Sequence, residues 1–305
     1  MNVMQIKELQ KLLKDFGDNV IFNYDLKKRN WFNIGGKTKV FFKADNLKEL
    51  IRFLKLINNN EKIFIIGAGS NLLIPDDIFD GVVIKLSRNF NRLSLLREDT
   101  VISGSAVLDK NLSEFAAQND ISGFEFLSCI PGSIGGGIRM NAGCFGKEFK
   151  DILLSIQALD YKGNLVTIPS KKIKFDYRSN DLPGDLIFLS ASFKGVKSNL
   201  SKINKEIEKM KSKKDKNQPT KIKTSGSTFK NPIKQTNKKV WELIRESISL
   251  DVKFGDACIS KKHSNFFVND GNASFEDMKK LIDYVSNQVL KKTGIKLDRE
   301  IKILE

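Results

Sequence analysis

Gly123-Phe-Glu-Phe-Leu-Ser-Cys-Ile-Pro-Gly-Ser-Ile-Gly-Gly-Gly-Ile-Arg-Met-Asn-Ala-Gly-Cys-Phe-Gly146 is the most informative stretch of the sequence. From Pro131 to Gly146 it holds six glycines, Gly132, Gly135, Gly136, Gly137, Gly143 and Gly146, and a single charge, Arg139. A solvated linker in so lysine-rich a chain would carry more charge. Glycine admits positive φ and lets another group approach the bare backbone, so such a run can turn several N–H groups toward one anion, a diphosphate being the obvious guest. The alternative is tight turns in a packed core. Six glycines together with Arg139 and Asn141 favour the anion.

The composition around this stretch narrows the class. At 305 residues and 40% apolar content the chain can bury a sizeable core and suggests two domains. No run approaches the roughly 20 apolar residues that cross a bilayer, and the first ten residues lack the basic head and apolar block of an export signal. The expectation is a cytoplasmic protein without a membrane partner. Cys129, Cys144 and Cys258 are odd in number and lack ligand spacing, which points to reduced thiols and no metal site. The net charge of +16 raises nucleic-acid binding. However, the lysines are dispersed, and the dense run Lys209–Lys216 reads as an exposed helix face ending in a linker, so no nucleic-acid partner is expected. The charge would still draw small polyanionic substrates.

Outward from the glycine run, periodicity predicts helices over 5–16, 47–57, 112–118, 199–211, 240–246 and 275–292. The last has Ser274 and Asp277 as a capping box and Gly294 as its stop. Strands are expected over 37–44, 62–66, 81–86, 100–107, 151–159, 186–193 and 296–304, the last carrying Glu300. A polar tract, 213–219, reads as a linker. Without regular βαβ spacing the class is α+β. The boundary falls near residue 200, giving 1–200 and 201–305, the former in two lobes of about 1–86 and 87–200.

After the strand over 62–66 comes Gly67-Ala68-Gly69-Ser70-Asn71-Leu72. A Rossmann fingerprint needs glycine where Leu72 stands, and Pro75 interrupts the helix that should follow. The turn can aim amides at a phosphate or simply join two strands. The single histidine, His263, lies between Lys262 and Ser264 and reads more readily as a packing or surface residue than as a general acid. Two polar segments remain, Thr224-Ser-Gly-Ser-Thr-Phe-Lys-Asn-Pro232 and Phe175-Asp-Tyr-Arg-Ser-Asn180. On spacing alone each reads more readily as a structural turn than as a site.

Together these segments resemble the UDP-N-acetylenolpyruvoylglucosamine reductase family, flavoenzymes that make UDP-N-acetylmuramate for peptidoglycan. The resemblance rests on Asn33-Ile-Gly-Gly36, Ile66-Gly-Ala-Gly-Ser-Asn-Leu-Leu73, Phe124-Glu-Phe-Leu-Ser128, Ile130-Pro-Gly-Ser-Ile-Gly-Gly136, Arg139-Met-Asn-Ala-Gly143, Tyr177-Arg178, Gly226-Ser-Thr-Phe-Lys-Asn-Pro232, Lys262-His263 and Val268-Asn-Asp-Gly-Asn272, in order along nearly the whole chain. It implies an FAD-binding module of the vanillyl-alcohol-oxidase type followed by a smaller α+β substrate domain, in the shorter branch of the family.

By that resemblance Gly67, Ala68, Gly69, Ser70, Asn71 and Leu72, with Pro131, Gly132, Ser133, Gly135, Gly136, Arg139, Asn141 and Gly143, hold the flavin. Arg178, Ser227 and Glu300 are catalytic, with Ser227 the proton donor, and Tyr177, Lys230 and Asn231 lie near a UDP-sugar substrate. The implied chemistry is reduction of FAD by NADPH, hydride delivery to an enolpyruvyl double bond and protonation of the neighbouring carbon. A monomer is expected. Cys129 and Gly137 depart from the family's usual glycine and alanine, and 234–254 matches poorly. A flavin-dependent alcohol or lactone oxidase and a basic nucleic-acid-binding protein are the rival readings.

Overall fold

The computed structural model describes residues 6–57 and 61–305. The export-signal expectation and the start of the first helix fall partly on residues 1–5, outside the described residues. By internal contacts the chain divides into two compact units. Unit one comprises Met1–Asn23, Lys39–Ala68 and Asp80–Lys214, and unit two comprises Tyr24–Thr38, Gly69–Phe79 and Asp215–Glu305. The division is therefore not one cut, because two short amino-terminal segments belong with the carboxy-terminal third.

Unit one has two cores. In the first, helices α1 (Ile6–Leu13) and α2 (Leu47–Ile57) pack with a four-stranded sheet in the order Val20–Asp25, Lys37–Ala44, Phe79–Leu86, Lys62–Ile65, the last pair parallel. The Asn46 side chain accepts from the Glu49 N–H at 2.9 Å and caps α2. Its apolar stripe carries Phe53 onto Phe42, the rings stacked 4.0 Å apart.

The second core lies on a five-stranded antiparallel sheet in the order Leu165–Pro169, Leu153–Asp160, Leu186–Lys194, Thr100–Gly104, Leu93–Arg97. Against it pack α3 (Asp109–Gln118) and α4 (Ile134–Arg139), and Ile203 and Ile207 of α5 (Leu200–Asn217) join Ala117 of α3. Helix α4 lies inside the glycine run, where propensity argues against a helix, since each glycine costs about 1 kcal/mol relative to alanine. Packing reverses the sign: Ile134 and Ile138, one turn apart, are fully buried, and Gly137 abuts Phe149 so closely that a Cβ there would sit 2.3 Å from the ring. Glycine at 137 thus leaves room for an aromatic ring.

In unit two, α6 (Val240–Ser247) and α7 (Phe275–Thr293) cover a core that also takes Phe32, Ile34 and Leu73 from the two inserted segments. The Ser274 and Asp277 capping box forms as expected, and Gly294 ends α7 at φ 72°. Asp76 accepts from the Phe275 N–H at 2.7 Å, placing a carboxylate at the positive end of α7. A three-stranded sheet, Lys253–Phe254, Ala257–Ile259, Phe267–Asn269, completes the unit.

Two expected elements differ. The tract read as a linker from 213 is helical as far as Asn217, because straight-chain lysines favour helix and no proline intervenes before Pro219. The expected strand over 296–304 shrinks to Lys302–Ile303, paired in parallel with Leu72–Leu73, while the rest is held by scattered bonds such as Gln235 Nε2 to the Lys296 carbonyl at 2.9 Å. Among the described residues no helix is long and apolar enough to cross a membrane.

Candidate functional site

In unit one the glycine run is a packed cradle more than an open loop. The Ile134 and Gly135 N–H groups donate to the carbonyls of Val107 and Ser105, each at 2.9 Å, so these amides are already engaged with protein. Polar capacity remains nonetheless. The Ser105 hydroxyl and both carboxyl oxygens of Asp109 are buried without a hydrogen-bond partner among the described residues. They stand beside Gly135 and Gly132, and Gly67 faces Ser133, whose Oγ would be 2.5 Å from an added Cβ. Burial pushes the Asp109 carboxyl well above the usual carboxylate range; the nearby Gly132 N–H opposes this without a well-formed bond. The neutral form that burial favours presents a donor rather than a negative charge. Uncommitted donors among glycines suit a phosphate-bearing group.

Arg139 and Asn141, expected among the flavin-binding residues, have side chains engaged by the protein. The Arg139 guanidinium donates to the carbonyls of Leu182, Pro183 and Leu186 at 2.8–3.0 Å and lies 4.4 Å over Phe188. Asn141, fully buried, donates to Glu148 and to the Asp176 carbonyl, each at 3.0 Å, and accepts from the Lys150 N–H.

Those bonds converge on Arg178. Its Nη2 donates to the Gly143 carbonyl at 2.9 Å, Nη1 lies 3.5 Å from Glu148 Oε1, and the guanidinium sits 4.9 Å over the Tyr177 ring. Arg178 also holds φ at 56°, which costs a non-glycine residue energy and persists only where its surroundings enforce it. Glu148, joined by Lys150 Nζ at 2.7 Å, is the residue that sequence reading missed. Its position two residues after Gly146 was the available signal.

In unit two, Gly69 takes φ 68° and approaches the Arg29 carbonyl so closely that only glycine fits. Asn71 Nδ2 donates to the Glu300 carbonyl at 3.1 Å, and the Asn71 carbonyl accepts from Lys302 N–H at 3.0 Å. The Glu300 N–H donates to the Thr228 carbonyl at 2.8 Å, and Phe229 bridges to Arg299. Ser227 and Glu300, distant in sequence, are therefore neighbours; both are half-buried. Lys230 donates its N–H to the Asp298 carbonyl at 2.8 Å, and Asn231 Oδ1 accepts from the Val240 N–H at the start of α6 at 3.1 Å. Burial first, then the charges of Lys230 and Arg299, hold the Lys302 ammonium below the usual lysine range, which marks a crowd of cations. His263 packs edge-on against Phe266 at 4.7 Å, and desolvation lowers its pKa, as befits a packing residue.

Arg178 belongs to unit one and Ser227 and Glu300 to unit two. Two family models match the chain: an FAD binding domain over residues 38–169, and the C-terminal domain of UDP-N-acetylenolpyruvoylglucosamine reductase over residues 218–304. The chain is 63% identical over 302 residues to the UDP-N-acetylenolpyruvoylglucosamine reductase of Pelagibacter ubique, covering 99% of this chain and 100% of that one. It is 44% identical over 282 residues to the enzyme of that name from Rickettsia typhi, covering 92% and 94%. Among solved structures, UDP-N-acetylenolpyruvylglucosamine reductase from Thermus caldophilus superposes with a TM-score of 0.80 at 27% identity, covering 94% of this chain and 98% of that one. The α+β fold, an FAD-binding module followed by this C-terminal domain, agrees with the expected class, and the chain belongs to the UDP-N-acetylenolpyruvoylglucosamine reductase family.

Proposed function

We propose that this chain is an NADPH-dependent flavoenzyme that reduces the enolpyruvyl group of UDP-N-acetylglucosamine enolpyruvate to give UDP-N-acetylmuramate in peptidoglycan synthesis. FAD is held mainly by the glycine cradle of the first 200 residues, with 201–305 as the substrate-binding part. The observation that carries the reading is the backbone bond from the Glu300 N–H to the Thr228 carbonyl, which joins the segments carrying Ser227 and Glu300 in unit two.

When bound, FAD would supply the hydride-transfer chemistry, with NADPH as its reductant. The chain's residues do the rest. Arg178, oriented by Glu148 and the Gly143 carbonyl, binds the substrate carboxylate as negative charge grows beside it. Ser227 donates its proton to the adjacent carbon; because that carbon is strongly basic once hydride has arrived, a hydroxyl of ordinary acidity serves and no histidine is needed. Glu300 polarises Ser227 or holds the enolic oxygen. The cations Lys230, Arg299 and Lys302 suit the diphosphate of the nucleotide sugar, with Tyr177 and Asn231 nearby contacts. In unit one, Gly67, Ala68 and Pro131–Gly143 offer FAD a closely approachable glycine backbone and the Ser133 hydroxyl, the Ile134 and Gly135 amides being already bonded to protein, and Gly69–Leu72 are the flavin-binding residues of unit two. Arg139 and Asn141 act by bracing the segment against its neighbours, since their side chains bind the carbonyls of Leu182, Pro183 and Leu186 and, for Asn141, Glu148 and the Asp176 carbonyl.

The test is a purified protein and an anaerobic cuvette. The expected protein is yellow, is bleached by NADPH, and regains its colour on adding the enolpyruvyl UDP-sugar. A colourless protein that takes up no FAD, or a bleached one reoxidised only by oxygen, contradicts the reading.

A further inference from the structure

We propose that Cys129 and Cys144 form an oxidisable dithiol, a modification site at which a hydroperoxide converts two thiols into a disulfide tying together the two ends of Ile130–Gly143. Neither thiol has a part in the reduction described above. Cys129 ends the 3₁₀ turn Glu125–Cys129, Cys144 ends the short strand Gly143–Cys144, and these two elements lie against one another. The two thiols are close enough for each to bias the other's ionisation. Cys129 is buried and Cys144 half-buried, so the pair has one member open to solvent.

The surroundings favour a thiolate on Cys129. The ammonium of Lys214, on α5, donates to the Cys129 carbonyl at 2.8 Å, and Ser128 Oγ lies 3.7 Å from its sulfur. The hydrogen bond from Cys144, then that from Ser128 and the charges of Lys214 and Lys211, bring Cys129 down to about 6 against the opposing effect of burial. Cys144 is raised, by the same shared bond and by burial, and so keeps its proton as the donor. Cys258, in unit two, is raised by burial and makes an internal control.

The chemistry balances with a hydroperoxide as oxidant. The Cys129 thiolate attacks the terminal peroxide oxygen; an S–O bond forms, the O–O bond breaks, and the departing alkoxide or hydroxide takes up a proton. Cys144, giving up its proton, then attacks the Cys129 sulfur. The S–S bond forms as the S–O bond breaks, and the released hydroxide leaves as water. Two electrons pass from the thiol pair to the peroxide. The disulfide would close a loop enclosing α4, and the dithiol stands whether or not that segment holds a cofactor.

The experiment treats the full chain with a slight excess of hydrogen peroxide, quenches by alkylation under denaturing conditions, and reads thiols and peptides by mass spectrometry. Two of the three thiols are expected to disappear at one common rate, leaving a Cys129–Cys144 linked peptide pair that dithiothreitol reverses and an alkylated Cys258. In Cys144→Ser the reaction should stop at a dimedone-trappable sulfenic acid on Cys129. Phenylarsine oxide, which bridges neighbouring thiols, should bind the untreated protein and fail to bind either Cys129→Ser or Cys144→Ser. Independent loss of the thiols, oxidation of Cys129 to sulfinic acid without linkage, or linkage through Cys258 would overturn the proposal, and the wild-type measurement decides even if a variant does not fold.

Discussion

The two units hold their polar residues by different means. In unit one Arg178 is braced by side chains: Glu148 pairs with it, Asn141 and Lys150 hold Glu148, Tyr177 lies under the guanidinium, and its backbone sits at positive φ. In unit two Ser227 and Glu300 are placed by main-chain bonds, from Glu300 to Thr228 and from Lys302 to Asn71. A developing charge is best met by a rigid, preoriented dipole, whereas a proton donor needs only to be within reach of one carbon. The contrast matches the roles proposed for Arg178, charge stabilisation, and for Ser227, proton donation.

Substitutions can break or sharpen this contrast. Ser227→Ala removes the donor itself and should cut turnover about 10²–10⁴-fold while the backbone bonds that place the loop, and hence the fold, remain. Arg178→Ala should cost about 10²–10³-fold in kcat/KM, read in steady state with saturating NADPH. Gly137→Ala drives a methyl group into Phe149 beneath α4 and should destabilise unit one by about 1–3 kcal/mol, seen as a lower Tm and a weaker hold on FAD. Glu148→Gln keeps the shape but releases the ion pair, so Arg178 should lose orientation, with turnover falling roughly tenfold and flavin reduction unchanged.

The smallest effect belongs to Asp109. Burial shifts its carboxyl toward the protonated form in the folded chain, whereas the unfolded group ionises at about 3.9, so folding takes up protons above that pH. Its contribution to stability is therefore best below about pH 4 and worsens as pH rises toward the folded-state value. Asp109→Asn should flatten that part of the pH dependence of Tm; an unchanged slope would show that the carboxyl is ionised in the fold.

Much of the architecture was legible because the apolar period and the caps agree, as in α2 with Leu50 and Leu54 and in α7 with Ser274 and Gly294. Helix α4 was not, since three of its six residues are glycines and only burial of Ile134 and Ile138 makes it helical. The transfer of 24–38 and 69–79 to unit two was also hidden, because Phe32, Ile34 and Leu73 look like any core residues until their partners are known. At the site, Arg178, Ser227 and Glu300 stood out through resemblance, not spacing. Glu148 drew no attention, and the carbonyls that engage the Arg139 and Asn141 side chains could not be seen because a sequence shows polar side chains without their partners.

The central claim is that Ser227 serves proton delivery to the substrate and not reduction of the flavin. The direct test follows flavin absorbance in Ser227→Ala through the two half-reactions in a stopped-flow instrument. Bleaching by NADPH at the wild-type rate, with recovery by the enolpyruvyl UDP-sugar nearly abolished, is the predicted result; recovery at the wild-type rate, or a loss confined to bleaching, would contradict it.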